Sequence, residues 1–559
     1  MTWLSIAGDL FSAAAAVAGS GGTWYNECIR RPERRFLTRY KGREVFPMPD
    51  IIGVDFGNTR CYPSFIMDMN RENRTGGDPK DLLPGNCSDG IPSMYFFSAT
   101  RGERLGQDAV SASAAPQCNR ISLLKRRISQ SITLDGRIIS CNEMITKLAE
   151  YVIRQANRRM EENFRTTSNE IALAYPVDYS FDQLQMLINL VEKATLRDGR
   201  PVKVVGTIRE PAAAALDYLS QFGSKDESTT VLVYDLGGGT FDLALVAAHP
   251  SGRTLPDGSN VYYDIIDMDG DGQLGGHEFD QAMYNLFLQK TGVIPVGNEV
   301  STWEELAEGT KVELTDMDSA WPGLVHNGMF LNVEITVEEY NAMIQPLVAR
   351  TVEMTRALLA KHPEVNPAYI LLTGGQSQTP LVKQMLEAAL PEYAGRIDIY
   401  RPSKAISYGA ARYGVIEKPT GDLSGAGTAV VRRTMFDLGV NTHNLTTRKE
   451  YVSCLISAGT TMPTPPDRWN TYETLEEGQR RVAFTVYEAK GDNPIKEEIR
   501  RDYNALMTIT LNFGRAVPKG KKVQVSLYIE NDNTLHIVAR DPEDLSNVET
   551  ESISFTRFA

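Results

Sequence analysis

Residues 231–246 read VLVYDLGGGTFDLALV. The run Val231–Tyr234 is apolar and short enough for a buried strand, Asp235 closes it, three glycines follow, and the apolar pattern resumes. A strand that delivers a carboxylate to a turn without side chains lets backbone N–H groups approach an anion. The same design stands at 51–60, IIGVDFGNTR, where Asp55 precedes Gly57, Asn58 and Thr59. A third strand in ILLTGGQSQTP, 370–380, runs into Gly374 and Gly375. Asn58, Thr59 and Thr240 can each bond a phosphate oxygen. A carboxylate alone would repel phosphates, so Asp55 and Asp235 imply Mg²⁺ between them. One glycine-rich turn says little, but two copies that share an aspartate, with a third beside them, predict a phosphate site on an α/β scaffold.

Working outward, residues 50–418 alternate strand-like runs with amphipathic helices. Leu184, Leu187, Ile188 and Val191 share one helical face, and Tyr340, Met343, Ile344 and Leu347 share another. The alternation predicts sheets covered by helices. Residues 419–433 form an interdomain linker, whose first part, PTGDLSGAGT, has linker composition. From 434 to 556 the period changes to two: Val523, Val525, Leu527 and Ile529 alternate with Gln524, Ser526 and Tyr528. This predicts a separate all-β domain, a sandwich. Residues 1–49 read as an N-terminal extension with a basic stretch from Arg30 to Arg43.

The chain's 559 residues are too many for one core. With 71 acidic against 58 basic side chains, its net charge of -13 argues against nucleic acid as a partner. No stretch reaches the roughly 18 consecutive apolar residues of a membrane span. Cys28, Cys61, Cys87, Cys118, Cys141 and Cys454 stand singly, which predicts free thiols in a reducing, cytoplasmic setting. The apolar stretch 3–19, ending Ala-Val-Ala-Gly-Ser, keeps a secretory alternative open, although Asp9 interrupts it and no Lys or Arg precedes it. The sequons at Asn73, Asn86 and Asn444 would matter only in that case. DMDGDGQLGGHE, 267–278, has calcium-loop spacing, with Asp267, Asp269, Asp271, Gly272 and Glu278 in place; the strand-like VYYDIID before it argues for a strand–loop–helix instead.

DFGNT (55–59), DLGGGTFD (235–242), IREPAAAAL (208–216), LGGHEFD (274–280), LTGGQSQTP (372–380) and AISYGAA (405–411) resemble the signatures of the actin, hexokinase and heat-shock superfamily. GIPSMYFF (90–97), ERLGQDAV (103–110) and LLKRRI (123–128) follow in the order of the seventy-kilodalton heat-shock chaperones. FDLGVNT (436–442), GTTMPT (459–464), VAFTVYEAKG (482–491) and NDNTLHIVARD (531–541) resemble that family's peptide-binding sandwich. The resemblance covers about residues 50–555. It implies an actin-like, two-lobed ATPase domain followed by an all-β sandwich peptide-binding domain.

What the resemblance implies for individual residues is specific. Asp55 and Asp235 would hold Mg²⁺, with Asp242 tuning the site; Lys125 would sit at the γ-phosphate, and Glu210 would orient water. Gly57, Asn58, Thr59, Gly237, Gly238, Gly239 and Thr240 would bind phosphate, with Gly275, Gly276, Gly374 and Gly375 close by. Glu308 and Lys311 would contact the adenosine, their alternative being a solvated ion pair one turn apart. Val440, Val482 and Phe484 would line a groove for extended peptide, against the alternative that they pack the core. Gln378 would sit beside the adenine. The function implied is an ATP-dependent chaperone and slow ATP hydrolase, a monomer served by J-domain and nucleotide-exchange partners. The alternative is a nucleotide-gated binding protein with little hydrolysis; a small-molecule kinase and an actin-like filament are weaker rivals. Departures from the family pattern bear on this. Asn58 replaces a threonine, Val312 and Gln378 replace adenine-flanking arginines, Leu184 replaces an arginine near the switch proline Pro176, and Arg432-Arg433 reverses the linker's charge. The chain also ends after the sandwich, with no helical lid.

Overall fold

The computed structural model describes residues 51–70, 75–112, 120–254, 260–417, 430–434, 436–443, 449–489, 495, 503–530 and 534–554, and the backbone of two short strands before them. The extension as a whole, linker residues 419–429, the side chains of Arg432 and Arg433, the sequons at Asn73 and Asn444, and Cys28 and Cys118 lie outside the described residues. Met1–Met48 form one unit, in which Thr38–Tyr40 and Arg43–Val45 pair antiparallel. Pro49–Ala559 form the other.

In the first half of that larger unit, β1 (Ile51–Phe56) is buried at every residue, Asp55 included. It pairs antiparallel with β2 (Arg60–Asn70), which pairs with β3 (Thr75–Asp81). On its other side it runs parallel to β4 (Glu170–Tyr175), itself parallel to β5 (Lys203–Arg209). Helices α1 (Cys141–Phe164) and α2 (Phe181–Glu192) bury Met144, Leu148, Val152, Leu187 and Ile188 in the core of this half. The Ser180 hydroxyl accepts the Gln183 N–H and the Gln183 side chain returns to the Ser180 N–H, a capping box that starts α2.

Helix α3 (Glu210–Phe222) then leads to the second half. Its strands are β6 (Thr229–Leu236), β7 (Phe241–Thr254) and β8 (Asn260–Asp271) in antiparallel succession, with β9 (Tyr369–Thr373) parallel to β6 and β10 (Ile397–Ile399) parallel to β9. Helices α4 (Gly276–Thr291), α5 (Asn298–Glu313), α6 (Val337–Lys361) and α7 (Pro380–Ala389) lie among them, and Phe279, Phe287, Trp303, Tyr340 and Ile344 fill this half's core.

Two helices cross between the halves. The alanines of α3, Ala212–Ala215, pack against Val231, Val233, Ala244 and Val246 of the second sheet. Helix α8 (Ala405–Glu417) returns to the first sheet, so close that a Cβ on Gly53 would lie 2.3 Å from the Ala411 nitrogen. Where α3 and α8 meet, a Cβ on Gly409 would lie 1.7 Å from the Ala213 carbonyl oxygen. Fully buried Asp217 of α3 accepts from Arg412 Nε at 2.8 Å, Arg401 at 2.9 Å and Tyr400 Oη at 2.7 Å, so the crossing is fastened by a satisfied charge network.

The chain re-emerges as β11 (Val430–Arg433), parallel to β8 through Tyr263↔Val430 and Asp264↔Val431. Further along, it is antiparallel to β14 (Thr461–Met462). Strands β12 (Leu438–His443), β13 (Glu450–Ile456), β16 (Gln479–Glu488) and β17 (Asn504–Val517) make one four-stranded antiparallel sheet. Strands β15 (Asn470–Glu473), β18 (Lys522–Ile529), β19 (Thr534–Asp541) and β20 (Asp544–Ser554) make another. The two sheets share one apolar core, to which β18 contributes Val523, Val525, Leu527 and Ile529 at its alternate positions.

Candidate functional site

The stretch that opened the sequence analysis is a hairpin. Asp235 and Asp242 are register partners, and Gly237 N–H donates to the Thr240 carbonyl at 3.0 Å to close the turn. The first amides of α4 are spent on this turn: Gly276 N–H reaches the Gly237 carbonyl at 2.8 Å and His277 N–H the Gly238 carbonyl at 3.0 Å. The turn after β1 packs directly against it. A Cβ on Gly238 would lie 2.4 Å from Thr59 Oγ1, and one on Gly239 would lie 2.6 Å from Asn58 Nδ2. The third turn closes the group: Gly374 has φ +80°, and a Cβ there would lie 2.6 Å from Asp235 Oδ1. These glycines therefore leave room for three turns to meet.

The turns line a cleft of about 470 Å³. Asp55, Gly57, Asn58, Thr59, Lys125, Glu210, Asp235, Gly237 to Thr240, Gly276, Glu308, Lys311, Gly374, Gly375 and Gln378 all line it. Of the nucleotide-site residues anticipated from the sequence, Asp242 and Gly275 stand behind the wall. Asp242 Oδ1 accepts the Val177 N–H at 2.8 Å, and Gly275 is pressed against Gly239 and Thr240.

Charge is concentrated on one side. Lys125 Nζ donates to Glu210 Oε1 at 2.7 Å, both buried. Glu210, Asp235 and Asp242 each bring a carboxylate oxygen within 4.8 Å of the others. Burial, then Glu210, raises the pKa of Asp235 to about 7; the same causes in the same order push Asp55 and Asp242 well above the carboxylate range. Burial works against the Lys125 ammonium, but Glu210, Tyr179 and Asp55 outweigh it and hold its pKa above the ordinary lysine value. Asp235 Oδ1, Asp242 Oδ2 and Asn58 Oδ1 are buried with no hydrogen-bond partner. One ammonium against four buried carboxylates, with orphaned acceptor oxygens among them, is a donor set suited to a hard divalent cation.

At the other end of the cleft, Lys311 pairs with Asp280 at 2.6 Å and donates to the Gly276 carbonyl at 3.3 Å, so its partner is not Glu308. Val312 is 62% exposed beside it, and Gln378 Nε2 donates to the Gly375 carbonyl at 3.2 Å. Leu184 is buried in the first half's core.

Three residues next to the cleft receive no individual role in the site from the sequence. Tyr179 Oη donates to the Lys125 carbonyl at 3.2 Å. Arg126 and Glu278 pair between the two halves, where Arg126 Nη1 donates to Glu278 Oε1 at 2.9 Å. Only tertiary structure brings them together. In the all-β part, Val440 and Phe484 are enclosed in the core between the sheets, Val482 packs half-buried at its margin, and Phe484 meets Tyr472 ring to ring at 5.4 Å.

The calcium-loop spacing does not produce a loop. Asp267, Asp269 and Asp271 lie on β8, an antiparallel strand, where alternate residues share a face; His362 Nε2 contacts Asp267 at 2.8 Å, Arg350 pairs with Asp271, and Glu278 caps α4. A strand spreads these carboxylates along its length rather than wrapping them around an ion.

The molecule thus presents three glycine turns, an ammonium and a carboxylate cluster between two halves joined by crossing helices. Residues 199–556 match the family model described as Hsp70 protein, and the chain belongs to the Hsp70 family. It is similar to the chaperone protein DnaK of Buchnera aphidicola subsp. Schizaphis graminum (strain Sg), 24% identical over 538 residues covering 88% of this chain and 77% of that protein. It is also similar to the chaperone protein HscA of Cronobacter sakazakii (strain ATCC BAA-894), 24% identical over 525 residues covering 88% of this chain and 76% of that one.

Proposed function

We propose that the protein is an ATP-dependent chaperone: a two-lobed actin-like ATPase over residues 50–418, a linker over 419–433, and a peptide-binding sandwich over 434–556. The observation that carries this reading is the buried Lys125–Glu210 pair facing Asp55, Asp235 and Asp242 at the meeting point of the glycine turns, in a chain of the Hsp70 family.

The polyphosphate of ATP would lie along the turns of Gly57–Thr59 and Gly237–Thr240, whose small residues admit it to the backbone. Asp55 and Asp235, with Asp242 behind, would hold Mg²⁺, which supplies charge neutralisation of the phosphates when bound. Lys125 is already charged and fixed by Glu210, so it meets the charge developing on the transferred phosphoryl group without having to be reorganised. Glu210 has a second carboxylate oxygen to accept a proton of the attacking water and orient it. Glu308, Lys311 and Gln378 sit where the nucleoside would lie. Hydrolysis in such a site is slow unless the halves close fully, which suits a timer better than a metabolic enzyme.

Coupling to peptide rests on β11, which hydrogen-bonds to β8 of the second half and to β14 of the all-β part. The all-β part also touches the first half, where Asn504 Nδ2 donates to Asp182 of α2 at 2.5 Å and Leu506 and Ile553 pack against the core. Movement of the halves around nucleotide would therefore alter the sheet that binds unfolded or extended polypeptide. J-domain and nucleotide-exchange co-chaperones are the partners this cycle would use. Free Cys61, Cys87, Cys141 and Cys454 suit a monomer of the reducing cytoplasm. The test is release of a fluorescent apolar heptapeptide from the full chain. Addition of Mg²⁺ and ATP should raise its off-rate at least about tenfold, and an unchanged off-rate with ATP demonstrably bound would refute the coupling.

A further inference from the structure

Arg126 follows Lys125 in the one-turn 3-10 segment Leu124–Arg127, and its backbone and side chain go to opposite halves of the molecule. On the backbone side, Arg126 N–H donates to the Leu123 carbonyl at 3.2 Å, and Leu123 N–H donates to the Asn58 carbonyl at 3.2 Å. Leu123 holds φ +55°, a left-handed conformation that a leucine adopts only where its surroundings impose it. The segment is thereby tied to the first glycine turn. The guanidinium reaches the second: Nε donates to the Gly239 carbonyl at 2.9 Å, while Nη1 and Nη2 donate to the two oxygens of Glu278 at 2.9 and 3.1 Å. Glu278 also accepts the Gly275 N–H at 2.8 Å, which starts α4 against the same turn.

This arrangement differs from a surface ion pair in two respects. The fork is bidentate and the Arg126 side chain is only 13% exposed, so solvent screens it weakly. It also captures a peptide carbonyl of the phosphate turn itself. Because a peptide unit is planar, holding the Gly239 oxygen fixes the plane that leads into Thr240, a residue of the cleft wall. One side chain thus spans both phosphate turns. Arg120, four residues before the 3-10 segment, pairs with Glu305 of α5 in the opposite half.

We infer that Arg126 is a positioning residue that latches the two phosphate turns together across the cleft, and that opening this latch governs how fast bound nucleoside diphosphate escapes. The inference rests on the nucleotide reading above. A ligand held between two turns leaves only when they part, and here parting breaks at once the charge-assisted hydrogen bonds from Arg126 to the Gly239 carbonyl and to both Glu278 oxygens. Entry of nucleotide into the already open form would not require them.

The test is stopped-flow displacement of fluorescently labelled ADP in Mg²⁺ from the full chain, with unfolding temperatures recorded in parallel. Arg126→Ala and Glu278→Gln should each raise the dissociation rate about tenfold or more and leave the association rate within about twofold. The double variant should be no faster than the faster single one, because both substitutions break the same latch. Arg126→Lys, which keeps the charge but loses the fork, should fall between Arg126→Ala and wild type. A dissociation rate unchanged within about twofold in both Arg126→Ala and Glu278→Gln would overturn the latch while leaving the nucleotide site standing. Failure of wild-type protein to bind labelled ADP at all would overturn the nucleotide reading and the latch with it.

Discussion

Lys125 and Glu210 meet at 2.7 Å with almost no solvent contact, and the charged groups acting on them include Asp55 and Asp235. Removing the ammonium leaves Glu210 buried beside Asp55 and Asp235 with no compensating charge. Lys125→Ala should therefore lower unfolding stability by about 3–5 kcal/mol at neutral pH and cut the rate of phosphate release by about 10²-fold or more. Calorimetry and single-turnover kinetics on the same variant check both. Asp235 adds a pH signature. Its pKa rises to about 7 on folding because of burial and Glu210, so in the absence of cation its protonated form favours the folded state. That contribution is complete below the unfolded value near 3.9 and fades as pH rises through about 7. Mg²⁺ must displace that proton, so the rise in melting temperature on adding Mg²⁺ should be larger at pH 8 than at pH 6. Asp235→Asn should reduce the difference, leaving what Asp55 contributes. Thermal scans at the two pH values read it directly, and equal shifts would contradict the assignment. At this scale the sequence was legible wherever residues are neighbours in a turn: Asp55 with Gly57, or Asp235 with Gly237 to Gly239. It was silent on Arg126 and Glu278, 152 positions apart, because no local pattern marks a pair made by closing two halves.

At the scale of elements, the crossing of α3 and α8 sets how closely the halves approach. Gly409 allows this contact because a side chain there would occupy the space of the Ala213 carbonyl. Gly409→Val should drive the helices apart and cost several kcal/mol of stability, together with loss of nucleotide affinity; Gly85→Val, where nothing lies within 4 Å of an added Cβ, serves as a surface comparison for the loss of a glycine. Thermal unfolding and ATP titration would show it. The AAAA run of α3 is buried against the second sheet and α8, and nothing in that run itself says what presses against it. The acidic run 267–271 has calcium-loop spacing, but the strand read from VYYDIID continues through it because β7 supplies the hydrogen bonds, and helix α4 follows. Ligand spacing records which residues are present, and backbone pairing decides whether they converge. Lys311 makes a similar point, since its carboxylate partner Asp280 lies on α4 rather than one turn away on α5.

At the scale of the whole molecule, the change from mixed α/β to all-β was legible because periodicity switches from 3.6 to 2 near residue 430, and the core side chains of β18 follow that alternation. The way the parts join was less so. The sequence reading rested on the side-chain charge of Arg432-Arg433, but β11 is held by a backbone ladder, which forms whatever side chains it carries. Proline at 431 removes a backbone donor and strains the ladder. Val431→Pro should leave nucleotide affinity within about twofold while erasing the effect of peptide on phosphate release. Retained stimulation by peptide would show that coupling runs instead through the Asn504–Asp182 and Leu506 contacts.

The most direct test of a peptide-coupled ATPase is single-turnover phosphate release from ATP by the full chain, with and without an apolar peptide, in wild type, Lys125→Ala and Asp235→Ala. The account predicts slow release in wild type, a rate that peptide changes several-fold, and loss of at least about 10²-fold in either variant. Tight ATP binding with no phosphate released, or release that neither substitution slows, would contradict it.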